Sequence, residues 1–222
     1  MPTNPVPSKK NAILQYGAKV VDGGSTSITM YEKAMELHEK EGLVIIHPFE
    51  DPLVIAGQGT IGLEILEELP DVDTVVIPVS GGGLISGVAA ALKETKPSVR
   101  VIGVNTEGAK AMYESLRKGY PFEVEKVETI ADGLMAKKPG ELTFAHTQKY
   151  VDEMVLVSEE EIIKTVLSLL ERAKLVVEPS GAAALAAMIH GRTAIQGKKV
   201  AALVSGGNVN IKLLSELIDN YL

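Results

Sequence analysis

At 222 residues and 45% hydrophobic, the chain can bury a sizeable core, which with 4% aromatic residues must be built from Val, Ile, Leu and Ala. A formal net charge of −7, with no basic cluster beyond Lys9-Lys10, Lys137-Lys138 and Lys198-Lys199, argues against nucleic acid as a partner. The lack of cysteine excludes disulfides, thiolate chemistry and Cys-ligated metal and fits a cytoplasmic protein, and no apolar run reaches the ~18 residues of a membrane span.

The opening MPTNPVPSKKNAIL has no apolar core ahead of a cleavage site, so it does not read as a secretion signal. A short helix capped by Ser8 and ended at Gly17 is expected next, then a brief strand Ala18–Val21 and a turn at Gly23-Gly24. Met30, Ala34 and Leu37 recur at helical spacing over 28–41, and Gly42 stops that helix. Leu43–His47 is a candidate buried strand. A helix follows from Val54 to Leu69, containing Gly57, Gly59 and Gly62, which are costly in a helix interior. Either those glycines allow close packing on another element, or the helix passes near a ligand.

The most regular stretch is a strand at Thr74–Val79, a glycine loop, a helix at Ile85–Glu94 and a strand at Val99–Val104. This is a β-α-β unit whose short apolar strands suit a parallel sheet covered on both faces. A helix is expected from Ala109 to Lys118, and residues 119–150 read as irregular. VDEMVLVS gives a strand, and Ser158 caps a helix that opens with Glu159, Glu160 and Glu161 and continues towards Lys174. EPSGAAALAAMIHG reads as a small-residue helix, KKVAALVSGGNVN as a final strand with a second Ser-Gly-Gly loop, and IKLLSELIDNYL as the closing helix.

The stretch Ser80-Gly81-Gly82-Gly83-Leu84 lies between a strand and a helix, where glycines let successive amides converge and the helix adds free N–H groups and its dipole. A phosphate is the natural guest, and a tight turn with close packing is the alternative. This loop does not reproduce the G-x-G-x-x-G spacing and no Lys-Ser/Thr follows it, so it reads as neither a dinucleotide fingerprint nor a triphosphate loop. Ser205, in VSGGN, follows another buried strand and either contacts a ligand or forms a turn. Glu178 is either a site carboxylate or an exposed helix end. His38, His47, His146 and His190 show no metal-ligand spacing and read as structural or exposed. Asp71, Asp73 and Glu159–Glu161 read as solvated caps. No G-x-S-x-G elbow supports Ser/His/Asp hydrolysis.

Taken together, KKNAILQYGAKVV, HPFEDPLVIAGQGTIGLEIL, VVIPVSGGGLISGVA, VIGVNTEGAKAMYESL, TIADGLMAKKPGELTF, LLERAKLVVEPSGAAALAA and LVSGGNVN resemble the threonine/serine dehydratase (ammonia-lyase) family. These are pyridoxal-phosphate enzymes of the tryptophan-synthase-β-like fold type, which also includes serine racemases, and the resemblance extends over essentially all 222 residues. It implies an α/β fold with an open, mostly parallel twisted sheet (fold type II), incomplete at the N-terminus. Residues 1–50 would be the remnant of a small domain and residues 51–222 the large cofactor-binding domain. Pyridoxal 5′-phosphate would be the cofactor, its phosphate cradled by the backbone of Ser80, Gly81, Gly82, Gly83 and Leu84. Ser205 would hydrogen-bond the pyridine nitrogen, and a neutral hydroxyl there leaves a milder electron sink, suited to α-proton loss followed by β-hydroxide elimination. Glu178 would lie near the pyridine side, Gly133 and Phe49 would approach the cofactor or substrate, and Gly206 would shape that pocket.

The implied activity is conversion of L-threonine to 2-oxobutanoate and ammonia, or of serine to pyruvate, by a homodimer or homo-oligomer acting on a small amino acid. One departure stands against it. The family's Ser-Phe-Lys-x-Arg-Gly-Ala segment, whose lysine holds the cofactor as a Schiff base and moves the α-proton, does not occur in these residues. Nor does the Ser-x-Gly-Asn loop that grips the substrate carboxylate. The expectation is that the family's N-terminal third is missing and that the chain alone turns over poorly or not at all. A non-catalytic phosphate- or pyridoxal-phosphate-binding fragment and a structural remnant are the alternatives. Racemase-like members carry Glu and Asp where this chain has Asn105 and Ala111, which weakens a serine racemase assignment and a divalent cation site there.

Overall fold

The computed structural model describes residues 1–195 and 199–221, with the side chains of Ser8, Ser27 and Ile28 outside the described set. It divides into two compact units, Met1–Ile46 with Asn210–Lys212, and His47–Val209 with Leu213–Leu222.

The first unit holds two helices, α1 (Pro7–Gln15) and α2 (Ser27–Glu41). α1 starts one residue before the expected cap: Pro7 stands at its first position and Val6 is the N-cap. The Ser8 side chain, offered as the cap, lies outside the described residues. α2 is held at its start by Thr26 and Thr29, whose hydroxyls and amides satisfy one another in a capping box, and Gly42 closes it in the left-handed conformation. The expected strands Ala18–Val21 and Leu43–His47 do not form. An apolar run marks a segment that favours burial, but a strand also needs a neighbour for its amides, and among the described residues no strand pairs with either. Val21, Gly23 and Gly24 bond instead to Met1 and Thr3.

The second unit is built on a four-stranded sheet of order β3-β2-β1-β4, comprising β1 (Thr74–Pro78), β2 (Arg100–Thr106), β3 (Glu153–Val157) and β4 (Val200–Ala202). All three pairings are parallel, as the Val- and Ile-rich strands lead one to expect. Alternate residues of β1 feed opposite faces. Val75 and Ile77 pack with Ile85, Val88 and Leu92 of α4 (Gly83–Thr95), while Val76 packs with Ala182, Ala183 and Ala186 of α8 (Pro179–Ile189). Each fully buried Val, Ile or Leu contributes about 1.5–3 kcal/mol, so the sheet centre carries much of the stability.

α3 (Pro52–Glu68) lies against α4 and starts earlier than Val54, because Asp51 caps it through the amides of Leu53 and Val54. Close packing explains two of its three glycines. A Cβ at Gly62 would stand 2.9 Å from the Val88 carbonyl and one at Gly59 3.2 Å from that of Gly87, whereas one at Gly57 would meet nothing within 4 Å. α5 (Ala111–Lys118) follows β2.

Residues 119–150 are not all irregular. They contain a single 3-10 turn at Asp132–Leu134 and a helix, α6 (Glu141–Tyr150). α7 (Glu159–Ser168) begins in the expected capping box of Ser158 and Glu161 and ends in a π turn, Leu169–Ala173, closed by Lys174 at φ 59°. The final strand is short, Val200–Ala202, and Lys198 of its expected span lies outside the described residues. α9 (Ile211–Tyr221) closes the chain, and among the described residues no helix is long and apolar enough to cross a membrane.

Candidate functional site

Because β1 and β4 are parallel neighbours, the loops after them leave the sheet side by side. One is the triple-glycine loop and the other is Ser205-Gly206-Gly207. Between them lies a cavity of about 330 Å³. Ser80, Gly81, Gly82, Gly83, Leu84, Gly133, Glu178, Phe49 and Ser205 all line it, so nine candidates spread between Phe49 and Ser205 meet in one place. Gly206 is not among the lining residues, and its carbonyl accepts from the Glu178 amide at 3.0 Å. A side chain at Gly206 would collide with the Glu178 carboxylate.

The glycine loop is shaped by its surroundings. Gly82 has φ 101°, a conformation glycine adopts without strain, and it caps α4, which starts at Gly83. The N–H groups of Gly83, Leu84 and Ile85 therefore have no acceptor inside the helix. Phe49 packs on the loop: a Cβ at Gly81 would lie 2.5 Å from its ring and one at Gly83 2.8 Å from its Cβ. On the other side, the Thr143 hydroxyl donates to the Gly81 carbonyl at 2.6 Å.

Two serines hold the segment that crosses the cavity. Ser180 Oγ accepts from the Gly133 amide at 2.8 Å, and Ser80 Oγ accepts from the Ala136 amide at 3.2 Å. Ser180 is 5% exposed and lines the cavity, as does Gln58 of α3. Neither was marked from sequence. Pro-Ser-Gly reads locally as a helix start, and only the fold shows that its hydroxyl reaches a loop 47 residues upstream.

Of the histidines, His47 adjoins the site: its Nδ1 accepts from the amides of Phe49 at 3.3 Å and Glu50 at 2.8 Å. His38 contacts the Leu43 carbonyl, His146 lies beside Tyr150, and His190 follows α8. Among the described residues no three His, Cys, Asp or Glu side chains are grouped to hold a metal. The acidic residues expected to be solvated caps do more. Asp73 accepts from the Lys199 amide, Glu159 from the Ile130 amide, and Glu161 pairs with Arg192 at 2.7 Å. Burial alone would raise the Glu161 carboxyl, but the Arg192 guanidinium and the Ser158 amide outweigh it and hold the group below its usual range.

Free amides at a buried helix start, glycines that leave room for close approach, and neutral hydroxyls form a donor set for a phosphate or similar anion. The comparisons agree with that chemistry. The family profile described as "Pyridoxal-phosphate dependent enzyme" matches residues 1–206. An L-threonine ammonia-lyase of Thermotoga maritima is 51% identical over 97% of this chain and 53% of its own length. The solved structure of processed threonine deaminase isoform 2 from Solanum lycopersicum superposes with TM-score 0.91 at 38% identity, over 99% of this chain and 61% of that one. Maize serine racemase gives TM-score 0.92 at 34% identity, over 99% and 68%. The chain spans about half the length of the curated ammonia-lyases it matches, 53% of one and 55% of another. Its sheet and neighbours are those of the tryptophan-synthase-β-like fold type, and the chain belongs to the pyridoxal-phosphate dependent enzyme family, whose cofactor is pyridoxal phosphate.

Proposed function

We propose that this chain carries the cofactor-holding part of a threonine/serine ammonia-lyase site. The observation that carries the reading is the placement of the triple-glycine loop, at the start of α4 and facing Ser205 across one cavity. In this reading the amides of Ser80 to Leu84 hold the cofactor phosphate, and Ser205 meets the ring nitrogen with a neutral hydroxyl. Glu178 and Gly206 form the wall beside the ring. Phe49 and Gly133 border the space that the amino acid would enter, and Ser180 keeps Gly133 in place. Pyridoxal phosphate, when bound, supplies an electron sink for the α-carbon of an amino acid.

The net reaction of the full site converts L-threonine to 2-oxobutanoate and ammonia, losing the β-hydroxyl and then taking up water. The 222 residues contain no Ser-Phe-Lys segment, so we assign them binding and orientation, and turnover by these residues alone should be very slow or nil. Residues 1–50 are read as small-domain sequence and 51–222 as the large domain, in a cytoplasmic homodimer or homo-oligomer. The likeness to maize serine racemase supports a second reading, but Asn105 and Ala111 stand where the resemblance puts the carboxylates of racemase-like members, which favours the lyase.

The test is to incubate the purified chain with pyridoxal phosphate and L-threonine, measuring bound cofactor and 2-oxobutanoate in the same sample. Saturable binding with little or no product supports the reading. Rapid product formation would overturn the assignment of binding without turnover, and failure to bind the cofactor would overturn the site.

A further inference from the structure

Glu50 lies outside the cavity, yet its contacts reach the glycine loop by two routes. Its Oε1 accepts from the Leu142 amide at 2.6 Å and its Oε2 from the Thr143 amide at 3.3 Å, at the start of α6. That helix has Gly140 as N-cap and no side-chain cap of its own. The Glu50 carboxylate occupies the space where a Cβ on Gly140 would stand, so it replaces a local cap and faces the positive helix end.

The first route runs through Thr143. Its hydroxyl donates to the Gly81 carbonyl at 2.6 Å, and its own carbonyl accepts from the Ser86 hydroxyl at 3.2 Å. The peptide between Gly81 and Gly82 is planar and trans, so a carbonyl tied towards Thr143 turns the Gly82 N–H the opposite way. α6 thereby sets the direction of one amide of the loop. The second route runs through Phe49, the residue before Glu50, whose ring and Cβ cover Gly81 and Gly83. His47 holds this turn by accepting from both the Phe49 and Glu50 amides. Asp51, next along, caps α3, which packs on α4. Two successive carboxylates thus anchor the two helices that flank the loop-bearing helix.

We infer that Glu50 is a positioning residue for the phosphate cradle: it fixes the start of α6 and the Phe49 turn together, and through them the orientation of Gly81–Gly83. This rests on the reading of Ser80–Leu84 as the cradle.

The test uses the full chain and the variants Glu50→Ala, Glu50→Gln and Thr143→Val. Hydrogen exchange of the ligand-free protein is followed over residues 80–86 and 141–147, and affinity is measured for pyridoxal phosphate and, separately, for inorganic phosphate. Glu50→Ala should raise exchange in both segments and weaken both ligands at least tenfold. Glu50→Gln keeps one acceptor oxygen and should recover part of both effects. Thr143→Val should raise exchange over 80–86 and weaken binding while the amides of 142 and 143 stay protected. If the Glu50 variants loosen 141–147 but leave exchange at 80–86 and both affinities unchanged, Glu50 only caps a helix and the inference is wrong. If the unaltered chain binds neither ligand, the cradle reading itself falls, and the role of Glu50 falls with it.

Discussion

Asn105 joins the end of β1 to the start of α5: its Nδ2 donates to the Val79 carbonyl at 2.8 Å, and its Oδ1 accepts from the Tyr113 amide at 2.9 Å. The residue is 1% exposed, so both ends of its amide are satisfied by protein. Val79 is the residue before Ser80, and Asn105 therefore steadies the strand end from which the glycine loop departs. Asn105→Ala leaves two backbone groups without partners and should cost about 2–4 kcal/mol in urea unfolding. Asn105→Asp keeps the bond from Tyr113 but sets a carboxylate against the Val79 carbonyl. Burial raises such a carboxyl, so its deficit should shrink as the pH is lowered and the group takes up a proton.

The packing of α3 on α4 separates glycines that look alike in sequence. Gly57→Ala adds a methyl in open space within a helix and should stabilise the chain by up to about 1 kcal/mol. Gly87→Ala would drive its methyl into the Ile55 carbonyl oxygen and should cost about 1–3 kcal/mol or prevent folding. Denaturant midpoints of the two variants, measured together, check the sign of each.

Arg192 should make a small contribution to the acid limb of stability. Glu161 has its carboxyl held down in the folded chain, so its contribution is present at neutral pH and is lost as the pH falls through its folded-state value. Arg192→Ala removes the paired guanidinium, and the Glu161 carboxyl should then titrate higher. The cost at neutral pH should be below about 1 kcal/mol because Arg192 is exposed, and it should vanish once Glu161 is protonated. Carbon-detected NMR titration of the Glu161 carboxyl, beside unfolding at neutral and acid pH, tests both parts.

Ser180→Ala removes the acceptor of the Gly133 amide at a residue 5% exposed. It should cost about 1–2 kcal/mol and increase hydrogen exchange across 132–136. Ser180→Thr, which keeps the oxygen, should restore most of the protection.

How far the sequence reveals this site depends on how local each signal is. The strand, glycine loop and helix of 74–95 are read directly, because β-branched residues, glycines and an apolar helix follow one another without a break. The Ser158–Glu161 capping box is equally local. α6 is not, since the group that caps it is Glu50, 92 residues upstream of Leu142, and Pro139-Gly140 alone reads as a breaker. Ala18–Val21 and Leu43–His47 fail for the converse reason: strand-like composition is local, but pairing is a property of the fold. The site followed the same division. Ser80–Leu84 and Ser205 stand out from their own loops, Phe49, Gly133 and Gly206 are marked only through the family resemblance, and Ser180, Glu50 and Thr143, which act on a distant loop, carry no local signal.

The most direct measurement is phosphorus NMR of pyridoxal phosphate titrated with the 222-residue chain and with Gly82→Ala, after circular dichroism shows the variant folded. Gly82 has φ 101°, and a methyl there would meet Met112 and Thr143 at 2.6 and 2.8 Å, so the substitution distorts the loop while leaving Ser205 untouched. A saturable shift of the phosphate signal that inorganic phosphate reverses, and that weakens at least tenfold in Gly82→Ala, is the expected result. No shift with the unaltered chain, or an equal shift with the variant, would contradict the assignment of this loop as the cofactor's phosphate cradle.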